Sequence, residues 1–114
     1  MKRKRIDLPQ GALELLVLRT LARREQHGYG ILRAIQQRSE EALEVEEGSL
    51  YPALHRMERH GWVEAEWGLS DTGRRAKFYS LTDDGRARLR KARRSWERMT
   101  EAVGLVLRGR AAGA

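Results

Sequence analysis

Apolar residues recur along this chain at helical spacing, interrupted once by a stretch that alternates. Leu13, Leu16, Val17 and Leu21 fall three or four positions apart, which makes one apolar stripe and predicts a helix over 8–24. Pro9 suits its first turn, where a missing N–H costs nothing. Residues 25–28 break the pattern. Ile31, Leu32 and Ile35 then give a second helix, over 28–41, a short apolar face. Gly28 and Gly30 near its start imply a tight turn and a close approach of two helices, with Tyr29 packed between them. A third helix is predicted over 49–60. Ser49 supplies its N-cap, Pro52 falls in its first turn, Leu50, Ala53, Leu54 and Met57 turn inward, and Gly61 stops it. Residues 62–67 are rich in β-formers, 68–73 carry turn residues and 76–81 return, which reads as a hairpin with a basic return arm. Thr82 as N-cap, followed by Asp83 and Asp84, opens a long helix over 82–108. Along it Leu89, Ala92, Trp96, Met99, Val103 and Val106 are spaced 3, 4, 3, 4, 3, a heptad seam.

Three helices, a hairpin and a fourth helix is the order of a winged helix-turn-helix with an added C-terminal helix, a mainly α fold with one β-hairpin. Residues 1–81 would form that domain, with 1–7 as a basic arm, 82–108 as a dimerisation helix and 109–114 as a disordered tail. The seam would span about 25 Å at the helical rise. A core of three short helices and a hairpin covers part of it, and a facing copy of the chain covers the rest through Leu89, Ala92, Trp96, Met99, Val103 and Val106. Two-fold dimers are the commonest oligomers and read pseudo-palindromic half-sites.

Composition narrows the function. The chain has 114 residues, 40% hydrophobic and 34% charged, which suits one soluble folded domain. No apolar run approaches the roughly 20 residues of a membrane span. The basic start is not followed by the apolar core of a signal peptide, since Asp7, Pro9 and Gln10 interrupt it, so the expected location is the cytoplasm. The absence of cysteine excludes disulfides, thiolate zinc sites and cysteine nucleophiles. The net charge of +7, from 23 Lys and Arg against 16 Asp and Glu, attracts polyanions. Basic residues crowd at 2–5, 74–77 and 86–94, with an acidic stretch (Glu40, Glu41, Glu44, Glu46, Glu47) between them. In the third helix, the recognition helix of such a fold, the helical period turns Ser49, Pro52, His55, Arg56 and Arg59 outward, with Tyr51 on the flank. These side chains suit base edges and phosphates, although an ordinary solvated helix face has the same polarity. Arg74, Arg75 and Lys77 at and after the hairpin tip can track a phosphate backbone or enter a minor groove. They also serve as charges that keep a strand edge from aggregating. The arm 2–5 is a disordered contact to the duplex or a solvated segment. Trp96, mid-seam, is either a packing residue or an aromatic wall for a flat apolar effector between subunits. His27, His55 and His60 lack metal-ligand spacing, and no phosphate loop, nucleophile elbow or zinc-protease motif appears. No cofactor, metal or catalytic role follows. A basic RNA-binding module and a protein-interaction module remain as alternatives to duplex DNA.

Several runs resemble the PadR family of bacterial transcriptional regulators. They are Leu13 to Leu21, His27-Gly28-Tyr29-Gly30-Ile31, Gly48-Ser49-Leu50-Tyr51-Pro52-Ala53-Leu54, Glu58, Gly61-Trp62, and Arg74-Arg75-Ala76-Lys77-Phe78-Tyr79-Ser80-Leu81-Thr82 with Gly85. The resemblance spans roughly 8–108. It implies a winged helix-turn-helix homodimer that usually represses transcription. It also implies operator contacts through Ser49, Tyr51, Pro52 and His55 on the helix and Arg74, Arg75 and Lys77 on the wing. Some members of that family bind planar aromatic compounds through a tryptophan on the last helix, and Trp96 occupies a similar place. A single C-terminal helix is similar to the smaller members.

Overall fold

The computed structural model describes residues 8, 9 and 11–109; the expected arm 1–7 and, Gly109 apart, the expected tail 109–114 lie outside them. The first helix, α1, is Ala12–Arg23. It starts later than its apolar spacing suggests, because Gly11 sits at φ +86°, a left-handed conformation that glycine adopts without a Cβ penalty. Pro9 therefore lies in the turn before the helix, where its carbonyl accepts the Ala12 N–H at 3.0 Å. The buried stripe runs through Ala12, Val17, Leu18 and Leu21, with Leu13 and Leu16 only partly covered.

Gln26–His27 form a two-residue strand, β1, where the sequence reads simply as a break. Next comes α2, Gly28–Arg38, whose N-terminus is capped by His27: the Gly30 N–H donates to Nδ1 at 3.0 Å. The helix stops short of residue 41 because Glu40 and Glu41 both take positive φ, 53° and 68°. Ser39 Oγ then accepts the Leu43 N–H at 2.9 Å. The glycines do mark a close approach, but Tyr29 does not fill it. Tyr29 is 58% exposed, while the Tyr51 ring occupies the space beside Gly28 and the Gln26 side chain that beside Gly30.

Helix α3 is Glu47–Arg59. Its N-cap is Glu46, with no side-chain bond, so Ser49 is a residue of the first turn and not the cap. Pro52 accordingly falls in the second turn, where it removes the bond that its N–H would have made to the Gly48 carbonyl. Leu50, Ala53, Leu54 and Met57 are buried as their spacing predicts. They join Val17, Leu18 and Leu21 of α1 and Ile31 and Ile35 of α2 in one core, closed by Val63 and Tyr79 from the sheet.

Strands β2, Val63–Leu69, and β3, Arg75–Leu81, pair antiparallel from Val63↔Leu81 to Leu69↔Arg75, and β1 adds to the other edge of β3 at Tyr79 and Phe78. The sheet order is β1-β3-β2. Since β1 covers only two residues of β3, the hairpin beyond it projects as a wing, turned at Ser70 to Arg74 with Gly73 at φ +79°.

A single residue separates β3 from α4, Asp83–Arg108. Thr82 is its cap: the hydroxyl accepts the Gly85 N–H at 3.0 Å and donates to the Gly61 carbonyl at 2.6 Å, and its own N–H donates to the Trp62 carbonyl at 3.1 Å. Arg88 pairs with Glu14 of α1 at 3.2 Å and lies 4.7 Å from the Trp62 ring centre. These contacts hold the start of the helix. Its 26 residues run about 39 Å. Leu89, Ala92 and Trp96 are half-buried, whereas Met99 and Val103 are exposed and Val106 is 83% exposed. Among the described residues, the second half of the apolar seam is thus more open than the first.

Gly85 is buried with the Trp62 backbone carbonyl where a Cβ would sit. Gly85→Ala should cost about 1–3 kcal/mol, since a main-chain group already hydrogen-bonded to Thr82 cannot yield as a flexible side chain would. Gly48, also helical, has open space beside it. Gly48→Ala should stabilise by about 0.5–1 kcal/mol through helix propensity. Opposite shifts of the urea midpoint at constant slope are the expected result; a neutral Gly85→Ala would contradict the packing described.

Candidate nucleic-acid interface

The outer face of α3 carries Ser49, Tyr51, Pro52, His55, Arg56 and Arg59, all exposed. They follow from the inward set: with Leu50, Ala53, Leu54 and Met57 against the core, the 100° step of the helix leaves Arg59, Pro52 and His55 directly opposite it. Ser49 and Arg56 fall to one flank and Tyr51 to the other. Tyr51 leans on Gly28 of α2.

The wing rises beside that second flank. Direct cross-strand partners share a face of the sheet, so Val63, Ala65, Trp67 and Leu69 on β2 share one with Leu81, Tyr79, Lys77 and Arg75 on β3. At the base this face is core; past the body it becomes surface, leaving Trp67 and Leu69 exposed beside the two cations. Arg74, in the turn, is exposed. Arg75 lies over the Trp67 indole, its guanidinium carbon 4.8 Å from the ring centre, a cation–π contact that favours this position on the wing. Lys77 is engaged otherwise: its Nζ is 3.6 Å from a Glu58 carboxylate oxygen of α3 and 5.7 Å from the Tyr79 ring centre. Arg74 and Arg75 are therefore presented outward, while Lys77 ties the wing to the helix. Nearby, burial pushes the Tyr79 phenol above its ordinary range, and the Glu58 carboxylate and Tyr51 add to the effect. Tyr79 thus stays a neutral core residue.

Two further groups join this surface. Tyr29 and Arg33 project from α2, the Arg33 Nη1 donating to the tyrosine oxygen at 3.2 Å with the guanidinium 5.8 Å from the ring centre. Their i, i+4 spacing away from Ile31 and Ile35 is legible in the sequence. Glu58 is not, because its partner Lys77 is brought to it only by the tertiary fold. The seam residues Leu89, Ala92, Trp96, Met99, Val103 and Val106 lie on α4, with Trp96 at the point where cover from the chain's own body gives way to open surface. Among the described residues, no group of three or more His, Asp or Glu could hold a metal ion, and no helix is long and apolar enough to cross a membrane.

The sequence matches the family model described as the transcriptional regulator PadR-like family over residues 17–91. It is 34% identical over 97 residues to the transcriptional regulator Rv3488 of Mycobacterium tuberculosis, covering 85% of this chain and 87% of that protein. Among solved structures, a PadR-like transcriptional regulator from Bacillus cereus superposes with a TM-score of 0.75 at 30% identity, over 89% of this chain and 96% of that one. A PadR family regulator from Clostridium difficile gives 0.73 at 28% identity, over 85% and 99%.

Proposed function

The chain belongs to the PadR-like family of transcriptional regulators, a family of DNA-binding proteins and not of enzymes, and on that footing we propose that it represses transcription by binding a pseudo-palindromic operator as a homodimer in the cytoplasm. One observation carries this reading: a polar-to-basic helix face, from Ser49 to Arg59, stands beside a wing that presents Arg74 and Arg75. A protein-docking face would be apolar or acidic, and a duplex supplies the phosphates that guanidiniums recognise. The more open half of the α4 seam supports pairing of two copies, which sets two α3 helices on one duplex. Ser49, Tyr51, Pro52, His55, Arg56 and Arg59 are the helix contacts and Arg74, Arg75 and Lys77 those of the wing, with Lys77 the weakest because Glu58 competes for it. Trp96, half-buried at the middle of the seam, is the wall on which a flat aromatic effector would rest to release the operator.

Selection of bound duplexes from a random pool tests the proposal. Inverted repeats should be enriched, with half-sites centred about 10 base pairs, or a multiple of that, apart. A single unrepeated motif would remove the two-fold reading, and no enrichment at all would remove duplex recognition.

A further inference from the structure

A cleft of about 660 Å³ opens between the first turn of α2 and the tip of the wing. It lies along the β3 edge left bare where β1 ends. Its charged lining is Arg33 from α2, Arg74 and Arg75 from the wing, and one carboxylate, Asp71. Three arginines against one aspartate among the lining residues give it a cationic balance that suits an anion. Its walls differ in construction: Arg33 is braced by the hydroxyl and ring of Tyr29, and Arg74 hangs from a turn closed by the Ser70 N–H donating to the Arg74 carbonyl at 2.8 Å. The volume far exceeds one small anion and suits a sugar-phosphate unit.

Resting on the DNA reading above, we propose that this cleft seats one backbone phosphate of the bound duplex, with Arg33 as its α2 wall and Arg74 as its wing wall. The position favours a strand over a free ion. Tyr51 of α3 packs against Gly28, next in the chain to His27 and Tyr29, which line the cleft. A strand passing from the exposed face of α3 to the wing crosses it. Helix α2 thereby becomes a third DNA-contacting element, and Tyr29 acts as the residue that positions Arg33.

The test uses the full chain and duplexes carrying one uncharged methylphosphonate at a time. One position per half-site should cost the wild type about tenfold in affinity and cost Arg33→Ala nothing further. Arg33→Ala should also lower the slope of log affinity against log salt by about 1.8 per dimer, two contacts at 0.9 each, and Arg33→Lys should restore it. Arg33 is exposed, so an unchanged melting temperature will confirm that the variant folds. If Arg33→Ala keeps the wild-type slope and methylphosphonate profile, the seat is refuted while duplex binding stands; a wild type without salt-dependent duplex binding refutes both. Inorganic phosphate that stabilises the DNA-free wild type but not Arg33→Ala, with duplex binding equal in the two, would make the cleft a free-anion site and overturn the assignment.

Discussion

If the chain pairs as proposed, a Trp96→Asp variant is expected to sediment as a folded monomer where the parent is a dimer, and to lose about 10²–10⁴-fold in operator affinity. The first effect follows from desolvation. Trp96 lies between Leu89 and Ala92, which the body half covers, and Met99, Val103 and Val106, which it leaves open. A carboxylate there would be enclosed by apolar side chains of both copies, a cost that the seam cannot offset. The second follows because each monomer would bind one half-site without the effective concentration its partner provides. The fold should survive, since the contacts through Thr82, Gly85 and Arg88 that anchor the start of α4 lie more than a turn earlier. Sedimentation equilibrium and operator titration check the two parts. A variant that remains dimeric would take Trp96 out of the interface, and a monomer with undiminished affinity would disconnect pairing from recognition.

Replacing Arg74, Arg75 and Lys77 together with Ala should weaken binding to every duplex alike and flatten its salt dependence. Six cations fully engaged in a dimer would account for a slope of about 5, at 0.9 per phosphate. The structure argues for less. Lys77 must leave Glu58, 3.6 Å away, to reach a phosphate, so the loss should lie nearer the roughly 3.6 expected of four contacts. Lys77→Ala alone should therefore move the slope little. Titration across a series of salt concentrations gives the answer directly; a triple variant with the parental slope would mean that the wing does not touch phosphate.

Much of the architecture was legible in the sequence because it rests on local rules. The stripe Leu50, Ala53, Leu54, Met57 fixes which face of α3 is outside, and Thr82 with two aspartates announces the start of α4. Where the structure departs from these local rules, the cause is physical. A strand of two residues, Gln26–His27, is too short to display a period. The start of α1 was set by the backbone of Gly11, and the end of α2 by Glu40 and Glu41 adopting a conformation their side chains do not favour. The N-terminus of α3 lacks a capping side chain, so Ser49, the nearest good candidate, stands three positions past the actual cap, Glu46. In the candidate interface, Arg75 on Trp67 depends on strand register and Lys77 on Glu58 depends on tertiary packing; neither leaves a mark at short range.

The brevity of the link between wing and long helix has a mechanical consequence. With only Thr82 between them, and that residue tied to Gly61 and Trp62, the hairpin cannot pivot independently of α4. In the proposed pair, the angle at which the two rods cross would gear the distance between the reading heads. A tilt of about 5° acting over the roughly 39 Å of the rod displaces its far end by about 3 Å, close to the 3.4 Å rise of one base pair.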